Sequence, residues 1–166
     1  MNGDFNEIYE RQYKRIFLMA CSYMKNIADS EDVCQITFEK YLRHNPVFEN
    51  EASEHAWFIK TAANVCKNML ELSWKKKTIY MGEDTIFDSL SNNLENVEKV
   101  DAGYGLVVEI QQLPLKYREV LHLFYYEEYS VKEISEILGI KQSAVTTRLN
   151  RARKKLGDRL ERRGYL

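Results

Sequence analysis

Apolar side chains recur every three or four positions through the first half of the chain, in three separate runs. The runs cover residues 4–25, about 30–44 and about 54–77, and this spacing places one apolar stripe along an α-helix. Asp29 or Ser30 is predicted to cap the second run. The pattern therefore predicts three helices packed around one small core.

The periodic pattern fades after Thr78, and Asn, Asp and Ser are frequent from there to about Gly105. A segment of this composition buries too little apolar surface to form a core. It predicts a flexible acidic linker over residues 78–106 between two small helical domains.

The pattern returns in residues 107–166, where it predicts a helix, a tight turn and a second helix. Ser130 and Glu133 form the S-x-x-E capping box of a short helix that ends at Leu138. Gly139 then supplies the turn, because glycine adopts the left-handed conformation that closes a helix. The C-terminal domain is therefore predicted to be a helix-turn-helix.

The last helix has an apolar stripe and a polar face on opposite sides. The stripe is formed by Val145, Leu149, Ala152 and Leu156, and the face by Ser143, Thr147, Asn150, Arg151 and Lys154. Short polar side chains let a helix enter the major groove and read base edges, while Arg and Lys neutralise phosphates. A basic face of this kind can also be merely solvated. The capped partner helix and the absence of acids from Lys141 to Lys155 favour DNA recognition.

Composition supports the helical prediction and narrows the class of protein. The chain has 166 residues, 45% of them hydrophobic and 30% charged, with only two prolines and seven glycines; this suits an all-α protein. No run of 18 apolar residues and no signal-peptide pattern is present, which predicts a cytoplasmic protein without membrane insertion. The three cysteines have no metal-binding spacing and are expected in the core, so neither a metal nor a cofactor is predicted.

Charge changes along the chain although the total is only −1. Residues 1–77 are balanced, residues 78–106 carry one basic and six acidic side chains, and residues 107–166 carry twelve basic and eight acidic ones. A basic C-terminal domain suits a nucleic-acid partner. A net −5 linker would be attracted to a basic channel built for nucleic acid.

Three blocks of this sequence resemble one protein family. LPLKYREVLHLFYYEEYSVKEISEILGIKQSAVTTRLNRARKKL resembles the fourth domain of the extracytoplasmic-function sigma factors, which belong to the sigma-70 family. DSEDVCQITFEKYL resembles the family's polymerase-binding helix, and WFIKTAANVCKNML resembles its minus-ten recognition helix. The resemblance implies a second sigma domain in residues 1–77 and a fourth sigma domain in residues 107–166.

The resemblance also implies roles for individual residues. Asp32, Gln35 and Glu39 match positions at the β′ clamp helices of core RNA polymerase, whereas Ile36 departs from the family's usual Glu. The β flap is the expected partner of the fourth domain.

Promoter contacts follow from the same resemblance. The minus-ten strand is expected to meet Lys60, Asn64, Lys67 and Asn68, and the minus-thirty-five element Ser143, Thr146, Thr147, Asn150, Arg151 and Lys154. Trp57 or Phe58 could stack on a base, although both are expected rather in the core. The loop from Phe48 to His55 corresponds to the family's pocket for a flipped base, with an unusually acidic lining.

The predicted function is an alternative sigma factor that binds core RNA polymerase and directs promoter-specific initiation, with an anti-sigma factor as a further expected kind of partner. A helix-turn-helix regulator that acts without replacing the housekeeping sigma factor is the alternative, but it would not need the two N-terminal blocks. An enzyme is disfavoured because His44, His55 and His122 are scattered and no catalytic frame is recognisable.

Overall fold

A computed structural model of the chain describes residues 3–24, 26–76 and 109–164. The chain divides into two compact units, Met1–Ile86 and Phe87–Leu166, and the described residues of each unit are helical. The all-α prediction is therefore confirmed. The predicted linker over residues 78–106 lies outside the described residues.

In the described part of the N-terminal unit, three helices pack on one another. They are α1 (Phe5–Met24), α2 (Ile27–His44) and α3 (Glu51–Lys76). Their buried faces supply an apolar core that includes Ile8, Ile16, Met19, Tyr23, Val33, Phe38, Phe58, Ile59 and Val65. Cys21, Cys34 and Cys66 are buried in this core, as the sequence predicted.

The predicted cap of α2 was wrong by one helical turn. The N-cap is Asn26, whose side-chain oxygen accepts a hydrogen bond of 3.1 Å from the backbone N–H of Asp29. The Ser30 hydroxyl lies inside the helix and donates to the Asn26 carbonyl oxygen at 2.8 Å. Asparagine caps as well as Asp or Ser, so the preference for a cap residue alone did not identify the starting position.

Helix α3 also begins earlier than predicted, at Glu51 rather than near Glu54. Asn50 and Ser53 explain this start, because the Asn50 side-chain oxygen accepts from the Ser53 N–H at 2.8 Å. The Ser53 hydroxyl oxygen in turn accepts from the Asn50 N–H at 3.2 Å. Residues 51–55 of the predicted loop from Phe48 to His55 are therefore helical.

The described part of the C-terminal unit has three helices after the helical residues 109–111. They are α4 (Leu115–Leu121), which continues as a π-helical segment (His122–Tyr126), α5 (Val131–Leu138) and α6 (Gln142–Arg162). Their apolar faces enclose a second core that includes Tyr117, Val120, Leu123, Ile134, Ile137, Val145, Leu149 and Ala152. The π-helical segment is not evident in the sequence pattern, and it inserts one extra residue per turn before α5.

The predicted helix-turn-helix is confirmed in its local details. Ser130 and Glu133 form the full capping box at the start of α5. Gly139 ends α5 at φ 65°, in the left-handed region. Ser135 stabilises the turn, because its hydroxyl donates a hydrogen bond to the Ile140 carbonyl oxygen at 2.6 Å. These contacts fix the path of the chain from α5 into α6.

Two buried acids anchor α6 to the rest of the unit. Glu119 accepts from Arg148 at 3.2 Å, and Glu109 accepts from Arg159 at 2.8 Å, both carboxylates being almost fully buried. Arg163 lies 3.3 Å from the second oxygen of Glu109. Arg148 and Arg159 of α6 therefore pair with acids of the same domain and are only partly exposed to solvent.

Within the described parts of the chain, no helix combines the length and apolar character needed to cross a bilayer. The same residues contain no group of three His, Cys, Asp or Glu side chains close enough to hold a metal ion.

Candidate polymerase and nucleic-acid interfaces

Helix α2 presents a polar surface formed by the three predicted polymerase-contact residues. Asp32, Gln35 and Glu39 are all exposed, and Gln35 donates from Nε2 to Oε1 of Glu39 at 3.1 Å. Ile36 is only half-buried on the same side of the helix. The helix therefore displays two carboxylates, an amide and an apolar side chain together.

A groove runs beside this surface, between α1 and α2, with a volume of about 320 Å³. It is lined by Tyr9, Tyr13, Glu31, Cys34, Gln35, Phe38, Glu39 and Leu42. Burial raises the pKa of the Cys34 thiol to about 12, so this side chain is a neutral part of the groove floor. The groove is thus apolar at its base and acidic at its rim.

Helix α3 carries the four residues predicted to meet the minus-ten strand. Lys60, Asn64 and Asn68 are exposed and Lys67 is half-buried. Their spacing along α3 places them on one stripe of the helix surface. The structure therefore brings two amides and two cations together on one face.

The two aromatic candidates for base stacking differ in exposure. Phe58 is fully buried and packs against Phe38 and Tyr41, both with ring centroids 5.3 Å away. Trp57 is half-buried, and its ring meets the Tyr41 ring edge-on at 6.1 Å. Phe58 is a core residue as expected, whereas one side of Trp57 reaches the surface on the stripe that carries Asn64.

The acidic loop predicted to line a base pocket contains a structural carboxylate. Glu54 is buried, and its Oε1 accepts from Nε of Arg11 at 3.0 Å and from Nε2 of Gln12 at 2.8 Å. Arg11 also donates to Oε2 at 2.9 Å. Burial alone would raise the pKa of Glu54, but the hydrogen bonds from Arg11 and Gln12 outweigh burial and the pKa is lowered.

Only part of that loop remains available as a surface. Glu49 and Glu51 are exposed, whereas Phe48 is buried and stacks with Tyr41 at 6.4 Å. The acidic lining predicted from the sequence is therefore reduced to the two exposed acids, because Glu54 points into the domain.

Helix α6 displays the whole predicted minus-thirty-five set. Exposed side chains are Ser143, Thr146, Thr147, Asn150, Arg151 and Lys154, while Val145, Leu149 and Ala152 are buried on the opposite side. Leu156, the fourth member of the predicted stripe, is half-buried. The division between the two faces agrees with the angular prediction.

A second groove, of about 330 Å³, lies beside this face and was not predicted. It is lined by Lys116, Tyr117, Ser143, Ala144, Thr147, Arg148 and Arg151. Lys116 comes from α4, far from α6 in the sequence, and no local pattern pointed to it. Packing of α4 on α6 adds this cation to the edge of the basic face.

Arg153 was also missed, although it belongs to the acid-free run. Its Nε donates to the Tyr125 hydroxyl oxygen at 2.5 Å, and its Nη1 donates to Oδ1 of Asn150 at 3.2 Å. Its guanidinium lies 5.4 Å from the ring centroid of Phe124 and 5.5 Å from that of Tyr125. Arg153 thus connects the π-helical segment to the proposed base-reading face.

Comparison with known proteins identifies two family matches, one in each half of the chain. The family model "Sigma-70 region 2" matches residues 8–75, and "Sigma-70, region 4" matches residues 106–156. The two matches contain all residues of the surfaces described above.

Individual relatives agree with the family matches. The RNA polymerase sigma factor SigV of Bacillus subtilis (strain 168) is 30% identical over 138 residues, covering 83% of this chain and 80% of SigV. The ECF RNA polymerase sigma factor SigM of the same organism is 26% identical, covering 91% of each chain. Among solved structures, the sigma factor RpoE of Bartonella quintana, crystallised with the anti-sigma factor NepR, has a TM-score of 0.76 at 18% identity. That match covers 95% of this chain and 97% of RpoE and supports the fold.

Proposed function

The chain belongs to the sigma-70 family as an alternative sigma factor of the extracytoplasmic-function group, and from that premise we propose which of its surfaces perform each step of initiation. Sigma factors of this family direct core RNA polymerase to promoters. The family match over residues 8–75 disfavours the alternative of a helix-turn-helix regulator with an unrelated N-terminal module.

The polymerase contact is assigned to the exposed side of α2. Asp32, Gln35 and Glu39 would meet the β′ clamp helices, and the groove between α1 and α2 would accept apolar side chains beside them. An acidic rim around an apolar floor suits a partner surface that combines basic and apolar residues. The half-buried Ile36 extends the apolar part of this contact.

The minus-ten contact is assigned to the stripe on α3. Asn64 and Asn68 can hydrogen-bond to the Watson–Crick edges of bases only after the strands have separated, whereas Lys60 and Lys67 can hold phosphates in either state. Trp57 lies on the same stripe and offers a partly exposed ring on which an unpaired base can stack. This stripe would therefore bind the melted strand.

The minus-thirty-five contact is assigned to α6, and its exposed face is the observation that carries the DNA-binding part of the proposal. Ser143, Thr146, Thr147 and Asn150 are short enough to allow α6 into the major groove. Arg151 and Lys154 would contact phosphates. The opposite face is buried, so the helix has only one side to present.

Further parts of the proposal rest on the sequence and the family. Residues 1–77, 78–106 and 107–166 are assigned to the second sigma domain, the linker and the fourth sigma domain, and the acidic linker would follow a basic channel of the polymerase. The fourth domain would contact the β flap. Acting on DNA together with polymerase, the protein would work in the cytoplasm and without an enzymatic activity of its own.

An anti-sigma factor is proposed as an additional partner. The similar RpoE structure contains the anti-sigma factor NepR. A partner of this kind would keep the protein inactive by covering a surface that polymerase needs.

The polymerase assignment is tested by competition with the housekeeping sigma factor for core RNA polymerase. Replacing Asp32 and Gln35 together by Ala is expected to weaken binding to core by at least about fivefold, as removal of an interface contact worth about 1 kcal/mol or more would. Glu7→Ala, which removes an exposed acid from α1, is the matched control. Unchanged competition by the double variant, with its helical circular dichroism intact, would disprove the assignment.

A further inference from the structure

We propose that Arg153 and Tyr125 determine which base Asn150 reads, by fixing the Asn150 amide so that it presents N–H donors and selects guanine over adenine. This inference rests on the proposed contact between α6 and the minus-thirty-five element. Arg153 and Tyr125 are therefore positioning residues, since they act through the side chain of Asn150.

The orientation of the amide follows from hydrogen-bond chemistry. Arginine has only N–H donors, so the Asn150 atom that faces Nη1 of Arg153 at 3.2 Å must be the amide oxygen. The reverse orientation would set the amide N–H groups against those of the guanidinium. The planar amide then directs Nδ2 away from Arg153.

Residues of a separate element, the π-helical segment, hold Arg153 in place. Its Nε donates to the hydroxyl oxygen of Tyr125 at 2.5 Å, and its guanidinium lies over the rings of Phe124 and Tyr125. Cation–π contacts and a hydrogen bond on one guanidinium restrict its rotamers together. The π-helical segment thus positions an arginine that in turn orients Asn150.

This arrangement changes the base that an asparagine would ordinarily select. An unrestrained Asn pairs with adenine by donating to N7 and accepting from the N6 amino group. In this domain one lone pair of Oδ1 accepts from Arg153, and the positive charge beside the oxygen weakens its second lone pair as an acceptor for the N6 amino group. Guanine presents acceptors at both N7 and O6 in the major groove, so it matches the donors that Nδ2 displays.

The test uses the assembled holoenzyme and promoter DNA randomised across the minus-thirty-five element. Sequencing of the bound fraction gives the preference at each position. Asn150→Ala identifies the position that Asn150 reads, where it is expected to lower the guanine preference about tenfold. The wild-type protein is expected to favour guanine over adenine at that position.

Arg153→Ala is expected to lower the guanine-over-adenine ratio at the same position about three- to tenfold, because the amide becomes free to pair with adenine. Tyr125→Phe keeps the ring and every charge but removes the hydroxyl, and it is expected to shift the ratio in the same direction by a smaller factor. Arg162→Ala removes one exposed positive charge from the C-terminal end of the same helix, outside the assigned DNA-binding face, and is the control, for which the ratio should stay constant.

A double variant separates positioning from a direct contact by Arg153. In the Asn150→Ala background, Arg153→Ala should cause no further change at that base, because no amide remains to be oriented. A guanine-over-adenine ratio that Arg153→Ala and Tyr125→Phe both leave unchanged, while Asn150→Ala relaxes it, overturns this inference and leaves the proposed function intact. If Asn150→Ala alters no position, both the inference and the assigned DNA-binding face are wrong.

Discussion

Replacing Glu54 by alanine is expected to destabilise the N-terminal unit by about 2 to 4 kcal/mol, because it removes the acceptor shared by two residues of α1. The Glu54 side chain is 7% exposed and accepts from both Arg11 and Gln12. His55 extends the network, with its Nδ1 lying 3.0 Å from Oε1 of Gln12. These contacts join the start of α3 to α1.

The magnitude follows from the two donors that lose their acceptor. Breaking a fully buried ion pair costs about 3 to 5 kcal/mol, but the Arg11 side chain is 37% exposed, so water replaces part of its lost interaction. Gln12 is 2% exposed, and leaving a buried donor unsatisfied costs about 1 to 3 kcal/mol. The estimate therefore lies below the value for a fully buried pair.

Glu54→Gln adds a test based on pH. The net effect of burial and the stronger opposing hydrogen bonds is a pKa of Glu54 below its ordinary value. The stabilisation by the carboxylate is therefore complete above the pKa of the unfolded chain, about 4.3, and is lost as pH falls through the lower pKa of the folded state. The stability difference between wild type and Glu54→Gln should be constant near neutral pH and should shrink in acid.

Urea denaturation followed by tryptophan emission measures these differences in the full chain. Both tryptophans, Trp57 and Trp74, lie in the N-terminal half of the sequence, so their emission reports on the N-terminal unit. Glu51→Ala removes an exposed acid from the same stretch and should change stability by less than about 0.5 kcal/mol. If Glu54→Ala and Glu51→Ala shift the midpoint equally, the buried network does not stabilise the unit.

Three further predictions concern the turn and the two proposed DNA-binding helices. Gly139→Ala should destabilise the C-terminal unit by about 1 to 2 kcal/mol, because residue 139 has a φ of 65°. Gly157→Ala within α6 should stabilise the unit by about 1 kcal/mol. Thermal unfolding should show a lower melting temperature for the first variant and a higher one for the second, and shifts of the same sign would contradict the prediction. Asn64→Ala and Asn68→Ala should slow open-complex formation more than closed-complex binding, and a premelted template should not rescue them; normal rates of opening would make both ordinary surface residues. Lys154→Ala should lower the slope of log binding against log salt by about 0.9 for one lost phosphate contact, and an unchanged slope would place that side chain away from the DNA backbone.

Features that depend on neighbouring residues could be predicted from the sequence. The capping box at Ser130, the turn at Gly139 and the buried stripe through Val145 and Leu149 were all predicted, and the structure confirms them. Each of these features depends on residues only a few positions apart along a helix. The family blocks were recognisable for the same reason, because each is a contiguous segment.

Local signals were weaker at the starts of α2 and α3. Asn26, Asp29 and Ser30 are all good caps, so the sequence offered several starting points of similar quality. The choice of Asn26 accompanies burial of Ser30, which is fully buried in the N-terminal unit. The packing of α2 on its neighbours decided between caps that propensity could not distinguish.

Which distant side chains meet depends on how the helices pack and could not be predicted from the sequence. Arg11 and Glu54 are 43 residues apart, Arg148 and Glu119 are 29 apart, and Arg153 and Tyr125 are 28 apart. Periodicity assigns each of these residues to a face of its own helix but contains no information about the helix that packs against that face. For this reason the sequence predicted which residues α6 displays, whereas the packing of α4 on α6 determined that Arg153 is held against Tyr125 and that Asn150 is oriented by it.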